Sequence, residues 1–587
     1  MGSLVRLAGA CALGLAACAC TLGSAGQGWS GASVFGQSEA GAEYGDFLSA
    51  RYAGLTNDPA AAARYYRRAA ERAPEDAALL ERAAFATLVE GDVAAAAAIA
   101  GKANPKVLAA APFAQLALAV DDVSAGRNRR ALKRLSGISA GSLNEDVARG
   151  VSAWLLAKNS PDKGLERAGG SGDRRRLAGE FDGIEGLILS SANRDAEALK
   201  KFQDGWQLRA RLPYLAAAHA RLAAATGHAA QAKDILDRET AHGATPETDR
   251  AADMLAGREP LKPLRLDTRQ GAAAAIYIIA SAPAPRTNPD LSVVYLSLAL
   301  HIDPDLEPAR LQLATALRSG DRPHQALEQL RQIKAGSPYA PEARIAEAGL
   351  LQKLGETDGA VAAARDAVSA SGQRDIVLHA ADLFRDTGKY AEAEKLYTDI
   401  IDKDAAAGRR DWRPLFSRAS VRDRLGRWPD AETDLRQALV YAPGRPEVLN
   451  FLGYGWVDRG ENVEEGFRLI NRAIQALPDQ GYIIDSLGWA HYRRGDYEEA
   501  VAALEKAAEL EPADAVIAGH LGDAYWRAGR RTEAGFEWRR ALQLKPDAQQ
   551  TADLNRRLAD GLPALALRGA EAGQAGQGQM RQGQAHP

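Results

Sequence analysis

Residues 481–546 read GYIIDSLGWAHYRRGDYEEAVAALEKAAELEPADAVIAGHLGDAYWRAGRRTEAGFEWRRALQLKP, one motif written twice. Leu487-Gly488 returns as Leu521-Gly522, Gly495 as Gly529, Ala500 as Ala534, Ala507 as Ala541 and Pro512 as Pro546, each step being 34 residues. A fixed period of that length, with small residues at set offsets and a proline closing each unit, is the mark of stacked helix–turn–helix repeats. Such a unit cannot bury its apolar face alone, so it stacks and leaves a long concave surface for a partner.

The frame continues upstream. Leu452-Gly453, Gly460, Ala473 and Pro478 form a unit of 35 residues, the extra one falling between Gly460 and Gly466. Leu415, Ala419, Gly426, Ala431, Ala438 and Pro443 precede it, then Ala381, Gly388, Ala393 and Tyr397, then Ala348, Gly355, Ala360 and Ala367. Residues 307–338 and 273–304 are weaker copies. Small residues at the eighth, twentieth and twenty-seventh places let two helices approach closely. The glycine at the fifteenth suits a turn of positive φ, and the proline ends the second helix. The pattern resembles the tetratricopeptide repeat (TPR) family, which implies an all-α, right-handed superhelical solenoid of TPR and TPR-like helical hairpins.

The N-terminal half repeats less cleanly: Ala62, Tyr66, Ala69, Pro74, Ala84, Gly91 and Ala96 give about two units, and residues 104–245 keep helical periodicity in short hairpins. Glu259-Pro260-Leu261-Lys262-Pro263 interrupts the helical reading. The expected organisation is N-terminal repeats over 45–245, a junction over 246–270, a C-terminal solenoid over 271–566 and a Gly- and Gln-rich disordered tail over 567–587.

Length and composition bound the job. At 587 residues the chain exceeds one compact core. A net charge of −3 without a long basic stripe disfavours nucleic acid as a partner. All three cysteines (Cys11, Cys18, Cys20) precede residue 21, so the body holds no disulfide framework or cysteine-based metal site. Arg6 and the apolar run 7–17 have the proportions of a signal peptide and are too short to span a bilayer. Leu15-Ala16-Ala17-Cys18 resembles the lipobox of bacterial lipoproteins. The likeness implies a signal over 1–17, lipidation of Cys18, a flexible Gly/Ser-rich tether over 18–44 and the periplasmic face of the outer membrane. Ordinary cleavage near Ala25, giving a soluble periplasmic protein, is the alternative.

No HExxH, GxSxG, GxxxxGK[ST] or GxGxxG motif is present, and the histidines are scattered singly. The reading is a chain without catalytic residues, cofactor, metal or small-molecule substrate, with protein or peptide partners in a groove. In TPR proteins the first helix of each pair lines that groove. The resemblance assigns to it Glu447, Asn450, Tyr454 and Asp458, then Tyr482, Asp485, Trp489, Tyr492 and Arg493, then Asp523, Trp526 and Arg527. Aromatic and arginine clusters are the stuff of binding hot spots, although TPR sequences also use aromatics for packing between units. The clamp of chaperone-binding TPR domains needs Lys and Asn where this chain has Asn450 and Tyr454, then Asp485 and Trp489, which disfavours chaperone tails.

The string LNFLGYGWVDRGENVEEGFRLINRAIQALPDQGYIIDSLGWAHYRRGDYEEAVAALEKA (449–507), with HLGDAYWRAGRRTEAGFEWRRAL (520–542), resembles proteobacterial TPR lipoproteins. Members with a role are outer-membrane scaffolds, some recruiting a carboxyl-terminal processing protease to peptidoglycan hydrolases. The resemblance implies a non-enzymatic adaptor of that kind; a structural assembly factor for a secretion or polysaccharide-export complex is the alternative.

Overall fold

The structure, a computed structural model, describes residues 39–138, 142–169, 177–208, 212–241, 243–282 and 288–563. Among them every regular element is an α-helix. The chain opens with the hairpins α1 (Glu39–Leu55) and α2 (Pro59–Arg72), then α3 (Ala77–Glu90) and α4 (Val93–Lys102). The short α5 (Pro105–Ala109) precedes α6 (Pro112–Ser124) with α7 (Asn128–Leu135), and α8 (Leu143–Ala157) with α9 (Pro161–Ala168). Next come α10 (Ala178–Ser191) with α11 (Asp195–Gln207), α12 (Pro213–Ala225) with α13 (Ala229–Thr240), and the single α14 (Pro246–Leu255).

The second half starts with α15 (Thr268–Ala280) and α16 (Pro289–Ile302), followed by α17 (Glu307–Ser319) with α18 (Pro323–Arg331). Then α19 (Ala340–Lys353) pairs with α20 (Thr357–Ala370), α21 (Arg374–Asp386) with α22 (Tyr390–Ala406), and α23 (Trp412–Arg424) with α24 (Trp428–Tyr441). The last hairpins are α25 (Pro446–Arg459) with α26 (Val463–Ala476), α27 (Gly481–Arg494) with α28 (Tyr497–Leu510), and α29 (Ala515–Arg527) with α30 (Arg531–Gln543), closed by α31 (Ala548–Asp560).

The 34-residue period has a direct physical cause. A Cβ added at Gly488 would lie 2.5 Å from Leu504, and one at Gly522 would lie 2.4 Å from Trp538, so only glycine lets these paired helices touch. Gly453 and Gly466 meet backbone to backbone in the same way, a Cβ on either falling 2.7 Å from the other's carbonyl oxygen. Ala500, Ala507, Ala534 and Ala541 are wholly buried at the helix–helix contacts. Gly495 and Gly529 cap their helices at φ +92° and +84°, which a side chain rarely tolerates. The extra residue of the 35-residue unit is absorbed by a second left-handed turn at Asn462, φ +42°.

The two halves share one core. A continuous buried cluster runs from Leu88 to Val421, across the expected junction. Within 246–270, α14 extends the helical array against α12 and α13. Only 256–267 lies outside a helix. Ser190 Oγ donates to the carbonyl of Leu264 (3.1 Å), Ser191 Oγ accepts from Leu266 N (2.9 Å), and Arg265 pairs with Asp195 (2.7 Å), so this strap is fixed to α10 and α11.

The strap carries the chain back. α15 lies against α8 and α10, and α16 against α3 and α6, all first helices of N-terminal hairpins. A Cβ at Gly271 would sit 2.1 Å from Trp154, which places the backbone of α15 directly on the indole. Tyr295 OH donates to Asn144 (2.9 Å), and Arg322 donates to the carbonyl of Val89 (2.8 Å) and to Asp290 (2.9 Å). The inner surface of the N-terminal hairpins is thus filled by the chain itself. Residues 39–44, placed in the tether expected over 18–44, are helical and belong to α1, which α2 holds through Phe47 on Tyr66 and Asp46 on Arg68 and Arg72. Cys18, the signal over 1–17 and the tail over 567–587 lie outside the described residues.

Candidate functional site

Among the described residues α15 and α16 fill the N-terminal side, and the inner surface they leave open belongs to the later first helices, ending with α25, α27 and α29. Successive members of this set touch one another, so residues a helical turn apart on neighbouring helices form one wall.

The centre of the wall is a ladder of rings. Trp489 stacks on Tyr492 of its own helix, centroids 4.6 Å apart and planes 9° from parallel. Its other stacking partner is His520 of α29, at 4.2 Å and 19°. The indole is held in plane by Nε1, which donates to Asp458 of α25 at 3.1 Å. His520 Nδ1 lies 2.9 Å from Asp485, both residues being buried. Burial alone would lower the imidazole's pKa, but the Asp485 carboxylate raises it above the ordinary histidine value. Burial likewise raises the Asp458 carboxyl, against the opposing hydrogen bond from Trp489 and the charge of Arg493.

The expected groove residues separate into two groups. Tyr482, Trp489, Tyr492, Trp526 and Arg527 are partly exposed and Arg493 is exposed. Asn450, Tyr454, Asp485 and Asp523 are buried, so in this conformation they support the wall from beneath. Asp523 accepts from Trp538 Nε1 (2.9 Å) and pairs with Arg557 of α31 (3.1 Å). Its carboxyl is nonetheless raised by burial. Tyr454 lines a small pocket with Tyr482, Asp485, Asp514 and Ile517, and burial followed by the nearby Asp458 carboxylate pushes its phenol well up. Asn450 has no solvent exposure, and neither its Oδ1 nor its Nδ2 has a hydrogen-bond partner.

At the far end, Trp526 packs against Trp538 and against Gly561, and Arg527 donates to Tyr492 OH (3.4 Å) and to the carbonyl of Pro563 (2.8 Å). His520 is the wall residue that single-residue reading overlooked. The signal was its separation of 35 residues from Asp485, one repeat plus one position. Ser486 Oγ donates to the carbonyl of Tyr482 (3.0 Å) rather than to this pair. Among the described residues no group of three or more His, Cys, Asp or Glu side chains is arranged to hold a metal ion. What the wall presents is the edges of stacked rings with the exposed Arg493 guanidinium beside them.

Comparison with known proteins bears on the same region. Family profiles described as tetratricopeptide repeat and TPR repeat match residues 416–481 and 488–529. A TPR repeat-containing protein of Pseudomonas aeruginosa is 27% identical over 175 residues, 30% of this chain. The match spans only 29% of that relative's length. Among solved structures, a tetratricopeptide repeat protein from Parabacteroides merdae aligns over 43% of this chain and 99% of its own, with 15% identity and a TM-score of 0.39. The Cut9–Hcn1 hetero-tetramer of the APC/C aligns over 88% of this chain and 96% of its own, with 13% identity and a TM-score of 0.35. The chain contains tetratricopeptide repeats, built into an all-α solenoid suited to protein–protein contact.

Proposed function

We propose that this chain is a non-enzymatic scaffold at the periplasmic face of the outer membrane, anchored through Cys18, that holds protein partners in the groove of α25, α27 and α29. The reading is carried by one observation. Trp489 and Tyr492 are partly exposed and Arg493 is exposed on inner surface that the described helices do not fill. A protein segment lying there would cover the ring ladder and meet Arg493 at its edge, an arrangement suited to an acidic or C-terminal carboxylate group. The mechanism is proximity: holding a carboxyl-terminal processing protease and its substrate on one solenoid raises their effective concentration without new chemistry.

The test is affinity capture from an envelope extract with the full chain and with Arg493→Glu and Trp489→Ala. Arg493 is exposed, so its variant changes the surface at little cost in packing, and a melting curve separates that change from any effect through Asp458. Recovery of a protease with the wild type, reduced in both variants, supports the reading. A partner set unchanged by either substitution removes the groove from the mechanism, and recovery of a multi-subunit secretion or export complex assigns the chain to assembly instead. Fatty-acid labelling that is lost in Cys18→Ser supports the anchor; labelling absent from the wild type removes it.

A further inference from the structure

Helix α1 is the first helix of the described residues, and terminal helices of repeat proteins normally turn a polar face outward. This one does not. Tyr44, Leu48, Tyr52 and Leu55 are 69%, 61%, 70% and 83% exposed, and their spacing puts them within one stripe of the helix. The opposite side is also apolar: Ala50 and Ala53 are buried in the body, and Asp46 is neutralised there by Arg68 (2.9 Å) and Arg72 (3.1 Å). A helix apolar on both faces calls for a cover on each, and among the described residues only one is covered.

We infer that the outer face of α1 lies on a lipid surface, with Arg51 reaching anionic headgroups. Three observations select this occupant over a second copy of the chain. Arg51 is the one exposed charge of residues 44–55 and adjoins the stripe. A two-fold pairing of so small a patch would bring two such cations together, whereas phosphates would pair with each. The stripe is four side chains, where a stable protein interface engages about 20–30 residues a side. Tyrosine and leucine beside arginine is also the composition of helices that lie in a membrane interface. No described helix is long and apolar enough to cross a membrane, so α1 lies on the surface and does not span it.

The inference extends the membrane half of the proposed function and is independent of its groove half. The full chain is mixed with vesicles of phosphatidylethanolamine and phosphatidylglycerol, and amide hydrogen exchange is followed across the protein. Exchange over 44–55 slows in the presence of vesicles and is unaffected by Arg493→Glu. The combined variant Tyr44→Ser, Leu48→Ser, Tyr52→Ser, Leu55→Ser loses that protection and weakens flotation with vesicles by at least about a hundredfold, the loss of four partly buried apolar side chains. Its melting curve stays close to that of the wild type, because all four side chains are mostly exposed. The same slowing in Cys18→Ser keeps the inference even where lipidation fails. Vesicle-bound protein with unchanged exchange at 44–55 overturns it, as does protection that grows with protein concentration in the absence of lipid.

Discussion

His520 is sandwiched between charge and ring: its Nδ1 faces Asp485 at 2.9 Å while its imidazole stacks 4.2 Å from Trp489. The carboxylate orients the imidazole, the imidazole backs the indole, and Asp458 fixes the indole from the other side. The indole of Trp489, with a ring on each face, is therefore held by residues on three helices, α25, α27 and α29, and what it leaves accessible is an edge.

This contact makes part of the stability pH-dependent. The folded His520 pKa lies above the unfolded value of about 6.5. Its contribution is therefore complete below that value and is lost as pH rises through the folded pKa. Thermal melts should show wild-type stability falling across that rise, with the fall reduced in His520→Gln. Asp485→Asn should cost about 2 kcal/mol on the acid side, the worth of a hydrogen bond to a charged group. Equal pH profiles for wild type and His520→Gln would remove the pair from this account.

The helix contacts of the repeat give a sharper contrast within α29. A Cβ at Gly522 would meet Trp538 at 2.4 Å, while one at Gly519 finds nothing closer than 3.8 Å. Gly522→Ala should destabilise by about 1–3 kcal/mol through overpacking. Gly519→Ala should be neutral or stabilise by up to about 1 kcal/mol through helix propensity. Denaturant unfolding of the two variants checks the sign as well as the size.

The fold-back of α15 predicts that a small change far from the groove disturbs both halves. Gly271→Ala forces a methyl into the ring of Trp154, 2.1 Å away. Hydrogen exchange should rise in α8 and α15 together, and the midpoint of unfolding should drop by an amount matching about 1–3 kcal/mol. A rise confined to α15 would mean that its docking on α8 adds little.

The repeats were legible because small residues and turn glycines recur where backbones touch, and that requirement is local. The fold-back was not. Gly150 and Gly271 look like ordinary helical residues until Trp154 and Ala275 are seen against them, because periodicity reports which face of a helix is apolar and not which helix covers it. Position in the repeat did not report exposure. Asp523 occupies a groove-facing place in its repeat, yet it is covered by Arg557 of α31, a helix outside the 34-residue pattern. The end of the tether was hidden for the same reason, since α1 is ordered by Asp46 and Phe47 contacts with α2 rather than by any repeat of its own.

Asn450 gives the last contrast between support and contact. Its side chain is fully buried, and both polar atoms lack partners, so the folded protein bears the cost of desolvating an amide without return. Leucine has a similar volume and no polar atom, so Asn450→Leu should stabilise by about 1 kcal/mol, within the range for removing an unsatisfied buried polar group. With no exposed surface, Asn450 cannot touch a partner on this wall, so capture through Trp489 and Arg493 should persist in the variant. Loss of stability would instead point to a buried water joining the amide to the backbone. Loss of capture with stability gained would mean that the groove opens down to α25 when a partner binds, at the expense of stability in the unbound state.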